Sequence, residues 1–129
     1  MRKLALALPL IAVLLLAACG GTTTTSGGGN SSTITMAGSS FTGNTSITVK
    51  AGQAVTFADT DGGGGTHNLV TGTNGQFAAA TGAPTEFAAS SGVNFSPGDT
   101  KQIVFPNAGT YNITCTIHPS MQATITVTP

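Results

Sequence analysis

Charge is scarce in this chain. Of its 129 residues, four are Lys or Arg and four are Asp or Glu. Nucleic-acid surfaces and anionic membranes both attract clustered Lys and Arg, so neither kind of electrostatic footprint is present. Long apolar runs are also missing. Residues 4–16 form an almost unbroken one, but a membrane-spanning helix needs about 20 apolar residues. No segment shows the periodicity of an amphipathic helix, and there is no internal repeat. The glycine run "DGGGG", residues 61–65, lacks the Lys-Ser/Thr pair and the helix that make a phosphate loop, so it reads as a flexible turn. Cysteine and histidine occur twice each: Cys19, Cys115, His67 and His118.

What is present begins with Arg2 and Lys3, the short apolar run and then "LAAC" ending at Cys19. Basic start, apolar stretch and small residues describe an export signal. The "LAAC" box resembles a bacterial lipoprotein signal, which implies cleavage before Cys19 and acylation of that residue. The expected organisation is a signal peptide over residues 1–18, the lipidated Cys19 with a Gly/Thr/Ser linker over 19–32, and one small domain over 33–129. The expected location is the outside of a bacterial cell membrane or the periplasm, with the lipid as the contact to the bilayer. Cleavage leaves Lys50 and Lys101 against Asp59, Asp61, Glu86 and Asp99. Asp59 and Asp61 are read as solvated turn residues, since the other ligands of a calcium loop are missing. If Cys19 carries lipid, Cys115 has no disulfide partner in its own chain. An exported protein with an unpaired thiol needs a reason to keep it, and metal ligation is one.

From Thr33 onward the dominant period is two. "ITVKAG" sets Ile47 and Val49 against Thr48 and Lys50, and "QAVTFAD" aligns Val55 with Phe57. "KQIVF" pairs Ile103 with Phe105. "TYNITC" places Tyr111, Ile113 and Cys115 opposite Asn112 and Thr114. "MQATITVT" aligns Met121, Ala123, Ile125 and Val127. Such alternation, rich in Thr, Val and Ile and broken by Gly, Pro and Asn, predicts short half-buried strands in an all-β antiparallel sandwich or barrel. Residues 72–94 read as a long connection with a short helical turn near Glu86 to Ala89.

"CTIHPSM", Cys115 to Met121, holds a thiol, an imidazole and a thioether within seven positions. Strand phase turns Cys115 and Met121 toward the core and leaves His118 in the turn between them. A thiolate, two imidazoles and a weak thioether form the ligand set of a mononuclear blue copper centre. His67, in "GTHNLV", is the domain's other histidine and lies on a separate strand. Structural zinc prefers four nitrogen or thiolate ligands and has little use for a thioether. A Cys115–His118 nucleophile and base is the remaining chemical alternative, but no orienting acid or oxyanion hole is evident.

"GTYNITCTIHPSM" followed by an alternating last strand, with "THNLV" upstream, resembles the cupredoxins, particularly the plastocyanin and amicyanin group, over residues 33–129. The resemblance implies a Greek-key β-sandwich and one copper ion bound by His67, Cys115, His118 and Met121. It implies further that Asn68 supports the loop carrying Cys115, and that His118 is the edge through which the electron passes to a transient partner at an apolar patch. Asn68 and the loop amides are candidate donors to the Cys115 sulfur, and the carbonyl of Thr66 is a candidate on the face opposite Met121. The short Cys-to-Met loop and Pro119 are closer to amicyanin than to plastocyanin. Ile117 departs from the family, many members of which carry Pro between the Cys and the His.

These observations favour a lipid-anchored electron carrier that cycles copper between Cu(I) and Cu(II), with no catalysis of its own, no small-molecule substrate and no nucleic-acid partner. Copper storage or delivery with the same ligands is an alternative, as is a sandwich-fold adhesion lipoprotein. Met36 and Met121 are few for a delivery site, and adhesion leaves the unpaired thiol unexplained.

Overall fold

The computed structural model describes residues 32–60 and 65–129, so the predicted signal peptide, Cys19, nearly all of the linker and Asp61 lie outside the described residues. Ten strands follow one another: β1 (Thr33–Ala37), β2 (Ser40–Thr42), β3 (Ser46–Lys50), β4 (Ala54–Asp59), β5 (His67–Thr73), β6 (Gln76–Phe77), β7 (Val93–Phe95), β8 (Thr100–Val104), β9 (Gly109–Cys115) and β10 (Gln122–Thr128). A 3-10 turn, Thr85–Phe87, interrupts the connection between β6 and β7. Residues 72–94, expected as one long connection, therefore hold β6 and the start of β7 as well as the expected turn, which lies slightly earlier than the sequence suggested.

The strands form two sheets, one in the order β2-β1-β4-β8 and the other β3-β10-β9-β5-β6, with β7 also on β5. The all-β sandwich is as expected, but its sheets are mixed rather than antiparallel. β1 runs parallel to β4, and β3 runs parallel to β10. Alternation reports which face of a strand is buried, whereas neighbours are chosen by crossovers between sheets, which leave no mark on the periodicity.

Alternation correctly locates the core. Val55 and Phe57 from the first sheet meet Ile47, Val49, Tyr111, Ile113, Ile125 and Val127 from the second, all buried. Phe57 lies edge-on to Phe87 with ring centroids 5.8 Å apart and beside Phe95 at 6.3 Å, so the 3-10 turn supplies a core side chain. Offset and edge-on aromatic pairs of this kind add to the stabilisation from buried area.

Two side chains depart from the predicted faces. Thr114 is buried because the turn between β5 and β6 covers it, with the Gly75 N–H donating to its hydroxyl at 2.9 Å. Asp59 is also buried, at 2% exposure, and is not a solvated turn residue. It continues the inward row of Val55 and Phe57 at the end of β4.

Candidate metal centre

His67 opens β5, and its row continues inward through Leu69 and Thr71, all three buried. Leu69 pairs with Cys115 across β5 and β9, so His67 projects just beyond the end of β9. Cys115 is fully buried as the last inward residue of β9. The chain then turns tightly: Met121 N–H donates to the His118 carbonyl at 2.9 Å, and Cys115 N–H donates to the Met121 carbonyl at 3.3 Å. These bonds fold His118 back over the end of the sandwich, where it is half-buried, and set Met121 at the start of a buried row.

Three donor atoms converge. His67 Nδ1 and His118 Nδ1 are 3.3 Å apart, and Cys115 Sγ is 3.8 Å from the first and 3.9 Å from the second. A point equidistant from three atoms so spaced lies about 2.1 Å from each, within the roughly 2.0–2.3 Å at which imidazole nitrogen and thiolate bind a first-row ion such as zinc. The donor cluster therefore fits one metal ion without rearrangement. Two imidazoles and a thiolate suit one copper ion, and Met121 lies buried at the base of the same loop.

The supports lie behind these atoms. Thr116, next to Cys115, donates its N–H to the Asn68 carbonyl at 2.9 Å and its hydroxyl to Asn68 Oδ1 at 3.0 Å. The Asn68 amide donates to the Ser91 carbonyl at 2.7 Å and to Asn94 Oδ1 at 2.9 Å. Asn68 thus ties both ligand-bearing segments to the β6–β7 connection; its side-chain bonds run to Thr116, Ser91 and Asn94, not to the Cys115 sulfur. Thr66 is exposed immediately before β5.

Sequence reasoning missed Asp59. Its Oδ2 lies 3.7 Å from Nε2 of His67, the ring nitrogen facing away from Cys115, and both side chains are fully buried. The available signal was the two-residue alternation continued one step past Phe57. Burial holds the His67 imidazole below its ordinary value of 6.5; Asp59 counteracts this, and His118 adds to it.

A family model described as copper-binding proteins of the plastocyanin/azurin family matches residues 31–128. No curated protein matches the sequence. Among solved structures the chain is similar to a reduced amicyanin variant at 23% identity, covering 74% of this chain and 79% of that one with a TM-score of 0.55. An oxidised amicyanin variant matches at 22% identity over the same shares, with a TM-score of 0.54. Amicyanin from Paracoccus versutus (Thiobacillus versutus) matches at 21% identity over 74% and 78%, with a TM-score of 0.53. Identity at this level speaks for the shared fold.

Proposed function

The chain belongs to the plastocyanin/azurin family of copper-binding proteins, and we propose that it is an electron carrier whose single copper ion is held by His67, Cys115, His118 and Met121. The observation that carries this reading is the convergence of His67 Nδ1, Cys115 Sγ and His118 Nδ1 around one point. Bound copper supplies one-electron chemistry between Cu(I) and Cu(II).

The protein's part is to hold the donors still. His67 and Cys115 sit on paired strands, and the Asn68–Thr116 bonds lock the backbone just after each of them. A donor set fixed by the sheet does not have to rebuild itself when the charge at its centre changes, which keeps electron transfer fast. Burial of Cys115, His67 and Met121 keeps water from the donors. His118 is the member of the set that is only half-buried, and its neighbour Ile117 is 50% exposed. We assign His118 as the port through which the electron leaves and the apolar Ile117 surface as the place where a transient protein partner docks.

The proposed location rests on sequence alone. Arg2, Lys3, the apolar run and "LAAC" support export with a lipid on Cys19, and residues 20–32 then form the tether from the membrane to the domain. The protein has no catalytic role in this reading.

The test is to add Cu(II) to the metal-free protein and record its visible spectrum beside Cys115→Ala. An intense blue thiolate-to-copper band that the substitution abolishes is expected. A colourless protein, or one that binds only Cu(I), rules out the electron carrier.

A further inference from the structure

Among the described residues, Asp59 is the one buried carboxylate. Both its oxygens, together with Nε2 of His67, are buried without a hydrogen-bond partner among the described residues. A buried carboxylate without a donor is strongly unfavourable, and so is a buried N–H without an acceptor. Two of these three atoms, Asp59 Oδ2 and His67 Nε2, face each other at 3.7 Å, and a small approach pairs them. Among the described residues, the donors of Thr60 and Lys101 are engaged elsewhere. The Thr60 hydroxyl donates to the Met36 carbonyl at 3.0 Å, and Lys101 Nζ is held by the Asn94 carbonyl and lies 4.0 Å from Asp99. The position of Asp59 is itself fixed: its N–H donates to the Asp99 carbonyl at 2.8 Å, and its carbonyl accepts from Gly98 N–H at 3.0 Å.

We propose that Asp59 is a positioning residue of the metal centre, its carboxylate accepting a hydrogen bond from the His67 Nε2–H and so presenting Nδ1 to the metal. The proton on Nε2 leaves the Nδ1 lone pair directed at the point shared with Cys115 and His118. The carboxylate also places a negative charge behind one ligand, in a region from which water is excluded. That charge favours the more highly charged Cu(II) over Cu(I), lowering the reduction potential. The effect on potential rests on the copper reading; the hydrogen bond itself does not.

The experiment has two arms, both on the full chain. In the metal-free wild-type protein, nitrogen-15 spectra of the imidazoles should show His67 protonated at Nε2, with a slowly exchanging, hydrogen-bonded proton. A His67 protonated at Nδ1, or an Nε2 proton in fast exchange, overturns the proposal whatever the copper chemistry. In the copper-loaded protein, Asp59→Asn should keep the blue band and shift the relative affinity toward Cu(I) by about tenfold, which for one electron is a rise of 59 mV in potential. Asp59→Glu should restore most of the wild-type value. An Asp59→Asn protein that keeps the band with less than a twofold change in this ratio overturns the electrostatic role. Absence of the band from wild type refutes the copper reading instead, and the first arm then decides the hydrogen bond by itself.

Discussion

Asn68 and Thr116 are joined by hydrogen bonds from the Thr116 N–H to the Asn68 carbonyl at 2.9 Å and from the Thr116 hydroxyl to Asn68 Oδ1 at 3.0 Å, the hydroxyl also reaching the Asn68 carbonyl at 3.5 Å. They are the residues that follow His67 and Cys115, so this pair couples two donor-bearing segments that lie 48 positions apart in the chain. Asn68→Ala removes the side-chain half of this link and the bonds to Ser91 and Asn94. A loss of about 1–3 kcal/mol of stability is expected, with the Ser91 carbonyl left to find another donor. Urea unfolding of the metal-free protein measures it, and a cost below about 0.5 kcal/mol means that the network is dispensable.

Gly92 supports the same network from outside. Its φ is +58°, and an added Cβ meets the Leu69 carbonyl at 2.5 Å, Val70 Cγ1 at 2.7 Å and Asn68 Oδ1 at 2.9 Å. Gly92→Ala therefore combines backbone strain with a clash against β5, at a cost of about 1–3 kcal/mol. The blue band of the copper-loaded protein should broaden as Asn68 is displaced. A variant as stable as wild type, with an unchanged spectrum, contradicts the close packing at this position.

Phe57 anchors the core beside Asp59. It is fully buried against Phe87 and Phe95. Phe57→Ala should cost about 3–5 kcal/mol, the usual loss for deleting a buried aromatic ring. Thermal or urea unfolding tests this, and a much smaller loss means that the sandwich collapses around the gap.

Ile117 bears on partner recognition rather than on stability. Half-exposed beside His118, it makes little contribution to the core. Ile117→Glu should leave stability within about 0.5 kcal/mol of wild type. Electron exchange between two copies, docking through this face, should slow by about tenfold because like charges then meet at the contact. Rates unchanged at low salt place the port elsewhere.

The metal-free protein should lose stability in mild acid. Burial, partly offset by Asp59 and reinforced by His118, holds His67 below its usual 6.5 when folded. The unfolded chain therefore binds more protons between the folded value and 6.5, and stability rises with pH across that window. It is fully present above 6.5 and lost as pH falls through the folded value. Urea midpoints at about pH 5 and about pH 7.5 should differ more for wild type than for His67→Asn, in which this titration is absent; equal differences contradict the assignment.

Local chemistry and period already determined much of this protein. Alternation from Ile47 to Val127 located the core because a strand's side chains point to opposite faces in strict sequence. The same phase turned Cys115 and Met121 inward, and with only two histidines in the chain, His67 was the available distant donor. Tertiary structure decided what depends on neighbours. β1 on β4 and β3 on β10 are parallel pairs, fixed by how the chain crosses between sheets, and no residue type announces that. The meeting of the His67, Cys115 and His118 donor atoms is likewise a product of the β5–β9 register and of the turn bonds that fold His118 back. Asp59 shows the division most clearly. Its charge suggested solvent and its phase suggested the core, and phase prevailed because the buried His67 Nε2 stands opposite it. A carboxylate can be kept inside a sandwich when a donor faces it, and only the meeting of the two sheets could place that donor there.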